Sequence, residues 1–245
     1  MLVKLENPFL LSKTIEIISE LVSEVRMNVN ESGMSINAID PANVAMVGLK
    51  IPKEAFSQFE TGNEILGINL ENLRGVLRRC SSGSSLIMEK KDNLLLIQIQ
   101  DRIKRKFTLS LIDIESEDVD FDLKAANMGF SSHIEISSID FIDSVEDCAV
   151  VADACSFIIN DGKFVIEARG LNSARSEFSG DEAKISGENC KARYSLEYLQ
   201  KFLKGAKLCE KSIISFANEH PLKLEFKTES MKLRFILAPR VETED

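Results

Sequence analysis

The chain has 245 residues, 44% of them hydrophobic and 28% charged, and a formal net charge of −9. That balance excludes a disordered chain, and the length suits one large domain or two small ones. Net acidity argues against a uniformly basic nucleic-acid binder but leaves local basic patches open.

No apolar run approaches the ~20 residues that a membrane span needs. The charged N-terminal stretch lacks the uninterrupted apolar core of a signal peptide, so an intracellular protein is expected. Five widely spaced cysteines without a CxxC predict reduced, buried thiols and neither a disulfide framework nor a zinc site.

In chain order, residues 8–25 carry Leu11, Ile15, Ile18, Leu21, Val22 and Val25 at helical spacing, with Pro8 suited to the first turn. Strands are predicted at 26–29 and 34–38 around the NESG turn, and again at 44–51. ENLRGVLRRC (71–80) reads as a short helix. SLIMEKK and NLLLIQIQ form a hairpin about Lys91-Asp92-Asn93, and RKFTLSLI (105–112) alternates as a half-buried strand. Residues 115–127 are acidic, show no clear helical period and read as a linker. The same grammar then restarts: a helix at 137–153, a hairpin about Asp161-Gly162, a strand in NSARSEFSG, a helix at 195–207, and closing strands in SIISFAN, LKLEFKT and KLRFILAPR.

Two anchors measure a repeat. Gly33 and Gly162 lie 129 residues apart, and ENLRGVLRRC matches EYLQKFLKGA at an offset of 126, pairing Leu73 with Leu199 and Leu77 with Leu203. Offsets near half the chain predict two similar halves. The fold class expected is therefore α+β, with domains at 1–114 and 128–245 joined by the loop 115–127. Each half is expected to hold antiparallel sheets covered by two helices.

A search for reaction chemistry finds little. His133 and His220 lack partners at ligand spacing, and no nucleophile elbow, P-loop or dinucleotide fingerprint occurs. Asp118, Asp120 and Asp122 alternate; if extended, they put three carboxylates on one face, which leaves a divalent-metal hydrolase as a rival to a solvated loop. The expectation is no cofactor, no metal and no enzymatic activity. The basic residues are more informative. Arg74, Arg78 and Arg79 crowd one short helix, and Lys201, Lys204 and Lys207 crowd its repeat equivalent. A shared basic surface of this kind contacts phosphates without reading bases.

GMSINAIDPANVAMVGLKIPKEAF (33–56) and the ending RFILAPRVE (234–242), together with SLEYLQKFLKGAK and PLKLEFK, resemble the proliferating cell nuclear antigen family of DNA sliding clamps across essentially the whole chain. The resemblance implies a DNA clamp fold: two similar domains per subunit, three subunits closing head to tail into a ring, and helices lining the hole. It implies a processivity factor that encircles duplex DNA. Its expected partners are a replicative DNA polymerase, a clamp loader, a flap nuclease and a DNA ligase, each bound through a short peptide motif.

Carried over residue by residue, the lumen positions are Lys13, Arg74, Arg78, Lys201 and Lys204, with Arg79 and Lys207 beside them. The partner-peptide pocket is implied at Ile39, Val44, Val119, Phe121, Pro221, Ile236, Leu237, Ala238 and Pro239. The subunit interface is implied at Lys106, Phe107, Thr108, Leu109, Ser110 and Leu111 on one strand, and at Ala174, Arg175, Ser176, Glu177 and Phe178 on the other. The chain departs from the family where lumen lysines are common: Ser12, Ser19 and Gly75 stand there, and helix 137–153 carries Asp143 and Glu146. The homotrimer therefore has an alternative, one subunit of a heterotrimeric or checkpoint-type ring.

Overall fold

The structure is a computed structural model and describes residues 1–115 and 119–241. The chain divides into two compact units. The first holds most of residues 1–119, and the second most of residues 120–241, with two short exchanges: residues 42–46 cluster with the second unit and residues 228–233 with the first.

The first unit runs β1 (Leu2–Leu5), α1 (Phe9–Ile18), β2 (Glu24–Asn30), β3 (Gly33–Ile39), β4 (Ala45–Pro52), β5 (Gln58–Glu60), β6 (Glu64–Asn69), α2 (Leu70–Leu77), β7 (Ser85–Lys91), β8 (Leu94–Gln100) and β9 (Lys104–Ser110). One sheet has the order β5-β1-β7-β8-β9, all antiparallel, and β2 pairs with both β3 and β6. The core is aliphatic: Leu11, Ile15 and Ile18 of α1, Leu70, Leu73 and Leu77 of α2, and Leu95, Ile97 and Ile99 of β8 are buried. α2 starts where Asn69 caps it, accepting the Asn72 amide at 3.1 Å.

α1 is shorter than its apolar spacing predicts. The helix gives way to i→i−3 bonds from Glu20 to Ile17 and Leu21 to Ile18, and Ser19 Oγ donates back to the Glu16 carbonyl at 2.7 Å. Val25, Met27 and Val29 then bury the alternate face of β2, so one apolar run serves two periods.

The second unit runs α3 (Phe121–Ala126), β10 (Ser132–Ser137), α4 (Ser138–Val151), β11 (Ala154–Asn160), β12 (Lys163–Arg169), β13 (Ser173–Phe178), β14 (Ala183–Gly187), β15 (Cys190–Ser195), α5 (Leu196–Ala206), β16 (Lys211–Phe216), β17 (Leu222–Thr228) and β18 (Met231–Leu237). β13-β12-β11-β15 form a four-stranded antiparallel sheet, and β14-β10-β16-β17 run side by side. The β11–β12 turn places Asp161 at φ 50° and Gly162 at φ 75°, the left-handed pair that a two-residue hairpin requires.

This core is aromatic. Phe157 sits among Phe141, Phe164, Tyr194 and Phe216, with ring centroids 5.3–6.2 Å away and edge-on geometry. Phe202 of α5 stacks on Phe235 of β18 at 4.2 Å.

The expectation of no helical period in residues 115–127 needs a correction. Residues 121–126 form a helix, because Asp120 caps it by accepting the amides of Asp122 and Leu123. Asp120 and Asp122 thus serve a cap and a helical turn and do not share an extended face; Asp118 lies outside the described residues. Among the described residues no cluster of three potential metal ligands occurs, and no helix is long and apolar enough to cross a membrane.

Candidate functional site

Within the first unit, α1 and α2 pack side by side. Their cations converge on one carboxylate: Lys13 Nζ lies 3.1 Å from Glu16 Oε2, and Arg78 Nη2 lies 2.7 Å from Glu16 Oε1. Arg78 first, and Lys13 second, hold the Glu16 carboxyl below its ordinary range. Arg74 donates to Glu71 at 2.7 Å and reaches Ser19 Oγ at 3.4 Å. Arg79, just beyond α2, is exposed. Lys13, Arg74 and Arg78 thus share one helical face, held apart from solvent ions only by partly exposed pairs. Such pairs contribute about 0.2–1 kcal/mol each, so a phosphate can take the cations over.

Within the second unit, α4 and α5 pack in the same way. Lys201 is bonded to Glu197 at 3.1 Å and lies over the Tyr198 ring at 5.0 Å, while Lys207 approaches Glu146 at 3.8 Å. Lys204 also has an interaction partner. α4 carries Asp140, Asp143, Glu146 and Asp147, all exposed, and no cation. The balance of charge therefore differs between the two helix pairs. Counting two residues past each helix, the first pair carries Lys13, Arg74, Arg78 and Arg79 against Glu16, Glu20 and Glu71, and the second carries Asp140, Asp143, Glu146, Asp147, Asp153 and Glu197 against Lys201, Lys204 and Lys207.

The implied peptide pocket is partly assembled in the second unit. The Ala238 amide donates to the Val44 carbonyl at 2.9 Å, which fixes the Asp-Pro segment beside the LAP ending. Val44, Pro221, Ala238 and Pro239 are half-buried and present apolar surface. Tyr194 Oη donates to the His220 carbonyl at 2.7 Å, anchoring the turn that presents Pro221, and burial pushes the Tyr194 phenol up.

Three implied pocket residues are interior: Phe121 is 0%, Leu237 1% and Ile236 5% exposed. They support the patch and do not form its surface. The Phe121 ring lies under the Arg234 guanidinium at 4.3 Å, and Arg234 also bonds Asp122, so α3 is pinned at its first turn. Ile39 and Val119 are half-buried and fall in the first unit.

Leu123, 62% exposed on α3, is an apolar surface residue that the sequence reading missed, because α3 itself was missed. Arg234 was also missed; an arginine amid the apolar run of β18 was its signal. The pairing carboxylates Glu71 and Glu197 were legible as i,i+3 and i,i+4 partners of Arg74 and Lys201.

Both implied interface strands lie at sheet edges: β9 closes one side of the five-stranded sheet and β13 one side of the four-stranded sheet. Phe107 and Leu109 are half-buried on β9, while Lys106, Thr108 and Ser110 are exposed. Leu111 lies past the end of β9 and is buried. On β13, Ala174 and Ser176 are half-buried and Phe178 is buried. Arg175 is tied to Glu167 at 2.7 Å and to Glu177 at 3.0 Å.

Paired helices over antiparallel sheets, repeated in two units whose outer edges stay open, define the class of two-domain clamp subunits. Sequence profiles for the N-terminal and C-terminal domains of proliferating cell nuclear antigen match residues 1–121 and 124–241. The chain is 31% identical to a DNA polymerase sliding clamp of Methanococcus vannielii over 94% of its own length and 95% of that protein's. It is also 31% identical to a DNA polymerase sliding clamp of Pyrococcus abyssi, over 94% of each. Among solved structures it is similar to a subunit in the PCNA2–PCNA3 complex of Sulfolobus tokodaii, at 25% identity and a TM-score of 0.88, over 99% of this chain and 100% of that one. This chain belongs to the proliferating cell nuclear antigen family.

Proposed function

We propose that the chain is a subunit of a DNA polymerase sliding clamp, a ring that encircles duplex DNA and tethers replication and repair enzymes without catalysing a reaction itself. The observation that carries this reading is the match to DNA polymerase sliding clamps over nearly the full length of both partners. Lys13, Arg74, Arg78 and Arg79 contact phosphates most strongly, and Lys201, Lys204 and Lys207 contribute against the acidic background of α4. Contacts of this sort carry no base information, so the ring slides while its topology retains it.

In this reading domains 1–114 and 128–245 are joined by the connector 115–127. Polymerase, loader, nuclease and ligase dock short peptide motifs on the patch of Val44, Pro221, Ala238 and Pro239, with Leu123 contributing. Three copies close through β9 and β13.

The deciding experiment is retention on DNA. With a cognate loader, the chain should stay on nicked circular plasmid through gel filtration and run off after linearisation; loss from both forms would sink the clamp reading. A heterotrimeric ring is the second reading, favoured by the four carboxylates and absent cations of α4. Sedimentation of the chain alone separates them, since a stable trimer without other subunits rules out an obligate heteromer.

A further inference from the structure

The second unit carries a groove of about 390 Å³ that continues the apolar patch at Pro239 and is rimmed by Lys191, Arg193, Glu219 and Arg240. Its walls are built by hydrogen bonds. The Arg240 amide donates to the Arg193 carbonyl at 2.7 Å, and the Glu219 amide to the Lys191 carbonyl at 2.8 Å. The Lys191 amide donates to Asn218 Oδ1 at 3.1 Å. β15 is the edge strand of its sheet, so these bonds close part of its open side and leave its alternate side chains, Lys191 and Arg193, facing outward.

Three cations, Lys191, Arg193 and Arg240, stand at the groove against two carboxylates, Glu219 and Asp153. Arg240 holds Asp153 at 2.7 Å, and Arg240 first, with Arg193 adding to it, keeps the Asp153 carboxyl below its ordinary range. Lys191 is exposed, and among the described residues no ion pair satisfies it or Arg193. A net acidic protein that gathers three cations beside its apolar docking surface is set to receive an anion there.

We propose that the Lys191–Arg193–Arg240 groove selects client peptides whose docking motif is flanked by Asp or Glu. The inference rests on the peptide-patch reading above and deepens it by assigning the chemistry of the flank. Apolar anchors of the motif supply most of the affinity, and the flanking carboxylates set which clients are preferred. The carboxylates meet Lys191 and Arg193 directly, while Arg240, already paired, shapes the groove through its backbone bond.

The test is calorimetry on the intact protein with synthetic peptides that share one motif, a Gln followed by spaced aliphatic and paired aromatic residues. Flanks carry two glutamates, two serines or two lysines, at the N-terminal or the C-terminal side. One glutamate-flanked peptide should bind about fivefold tighter than its serine counterpart, and the lysine version weaker, as expected for two partly exposed charge pairs. The gap should shrink as salt rises from 0.05 to 0.5 M, roughly a threefold cut in screening length. Lys191→Glu, at an exposed site, should cut the glutamate-over-serine preference to less than about twofold, since only Arg193 then faces the flank. Equal affinities for the three flanks at both sides, or a lysine preference in the native protein, overturn the inference and leave the patch reading intact. Failure of every peptide to bind overturns both.

Discussion

Arg234 and Phe121 are stacked, guanidinium carbon to ring centroid at 4.3 Å, with the arginine side chain only 4% exposed. An internal residue of β18 thereby fixes the first turn of α3, and Asp122 of the same turn closes the contact as an ion pair. The cation meets a ring face and a carboxylate drawn from one helical turn, while its Nε and Nη2 are buried without hydrogen-bond partners among the described residues.

Arg234→Ala removes both contacts. Unfolding by urea should show a loss of about 2–4 kcal/mol. Amide exchange of residues 121–126 should rise more than that of α5. Unchanged exchange in α3 would show that the stack does not hold the helix.

Glu16→Gln should release Lys13 and Arg78 toward phosphate. On short linear duplexes the salt slope of binding should steepen by about 2, since two cations are released and each phosphate contact adds about 0.9 on double-stranded DNA. Arg78→Ala should lower affinity more than Lys207→Ala, because the α4–α5 face is dominated by carboxylates. Equal losses would contradict the charge asymmetry between the helix pairs.

Glu16 also predicts a pH dependence. Its carboxyl is lowered on folding, so the unfolded chain binds the proton more tightly and the stabilisation is complete above the ordinary value of 4.5. It fades as the pH falls from 4.5 through the lowered native value. Thermal melts of native and Glu16→Gln protein should therefore differ at pH 6 and converge at acid pH. A gap that does not narrow as the pH falls below 4.5 would contradict the pairing with Arg78 and Lys13.

Leu109→Glu places a charge on the half-buried face of the β9 edge. In light scattering the native chain should show a mass near three times 27.4 kDa, and the variant should stay near one. The far-ultraviolet spectrum should be unchanged, since the sheet behind β9 is intact. A variant that still forms the trimer would exclude β9 from the contact.

Gly67 admits no side chain: a Cβ there would lie 1.8 Å from the Ile112 carbonyl oxygen. That carbonyl belongs to the segment whose Ile112 amide donates to Gly67 O at 3.0 Å. Gly67→Ala should cost about 1–3 kcal/mol in urea unfolding by forcing the two backbones apart. A neutral effect would mean that the segment after β9 shifts freely.

Much of the fold was legible because its signals are local. The Asp161-Gly162 turn, the alternation in RKFTLSLI and the stripe of Leu199, Phe202 and Leu203 in α5 each name their element within a few residues. The misses have physical reasons as well. β1 is four residues long, too short for a period to register, and its pairing with β5 and β7 is set by distant chain. α3 has six residues and an acidic surround, so only its Asp120 cap announces it. Of the candidate site, the residue types could be read in advance, but burial could not. Leu237 and Val44 look alike in sequence, whereas one lies under β18's own packing and the other shows its side chain to solvent. Exposure belongs to the tertiary fold, and this is why Leu237→Asp would test folding where Pro239→Asp tests docking.

The two open edges, β9 and β13, have different sequences, so a ring closed through them, as proposed, sets β9 of one copy against β13 of the next. Every contact made through them joins the head of one copy to the tail of the next. A closed ring assembled in this way has a front and a back that are chemically distinct, and every subunit shows its docking patch toward the same side. In the proposed clamp, enzymes docked on it would all face one direction along the duplex. In the proposed ring, the common orientation of docked enzymes thus follows from the difference between two strands of a single chain.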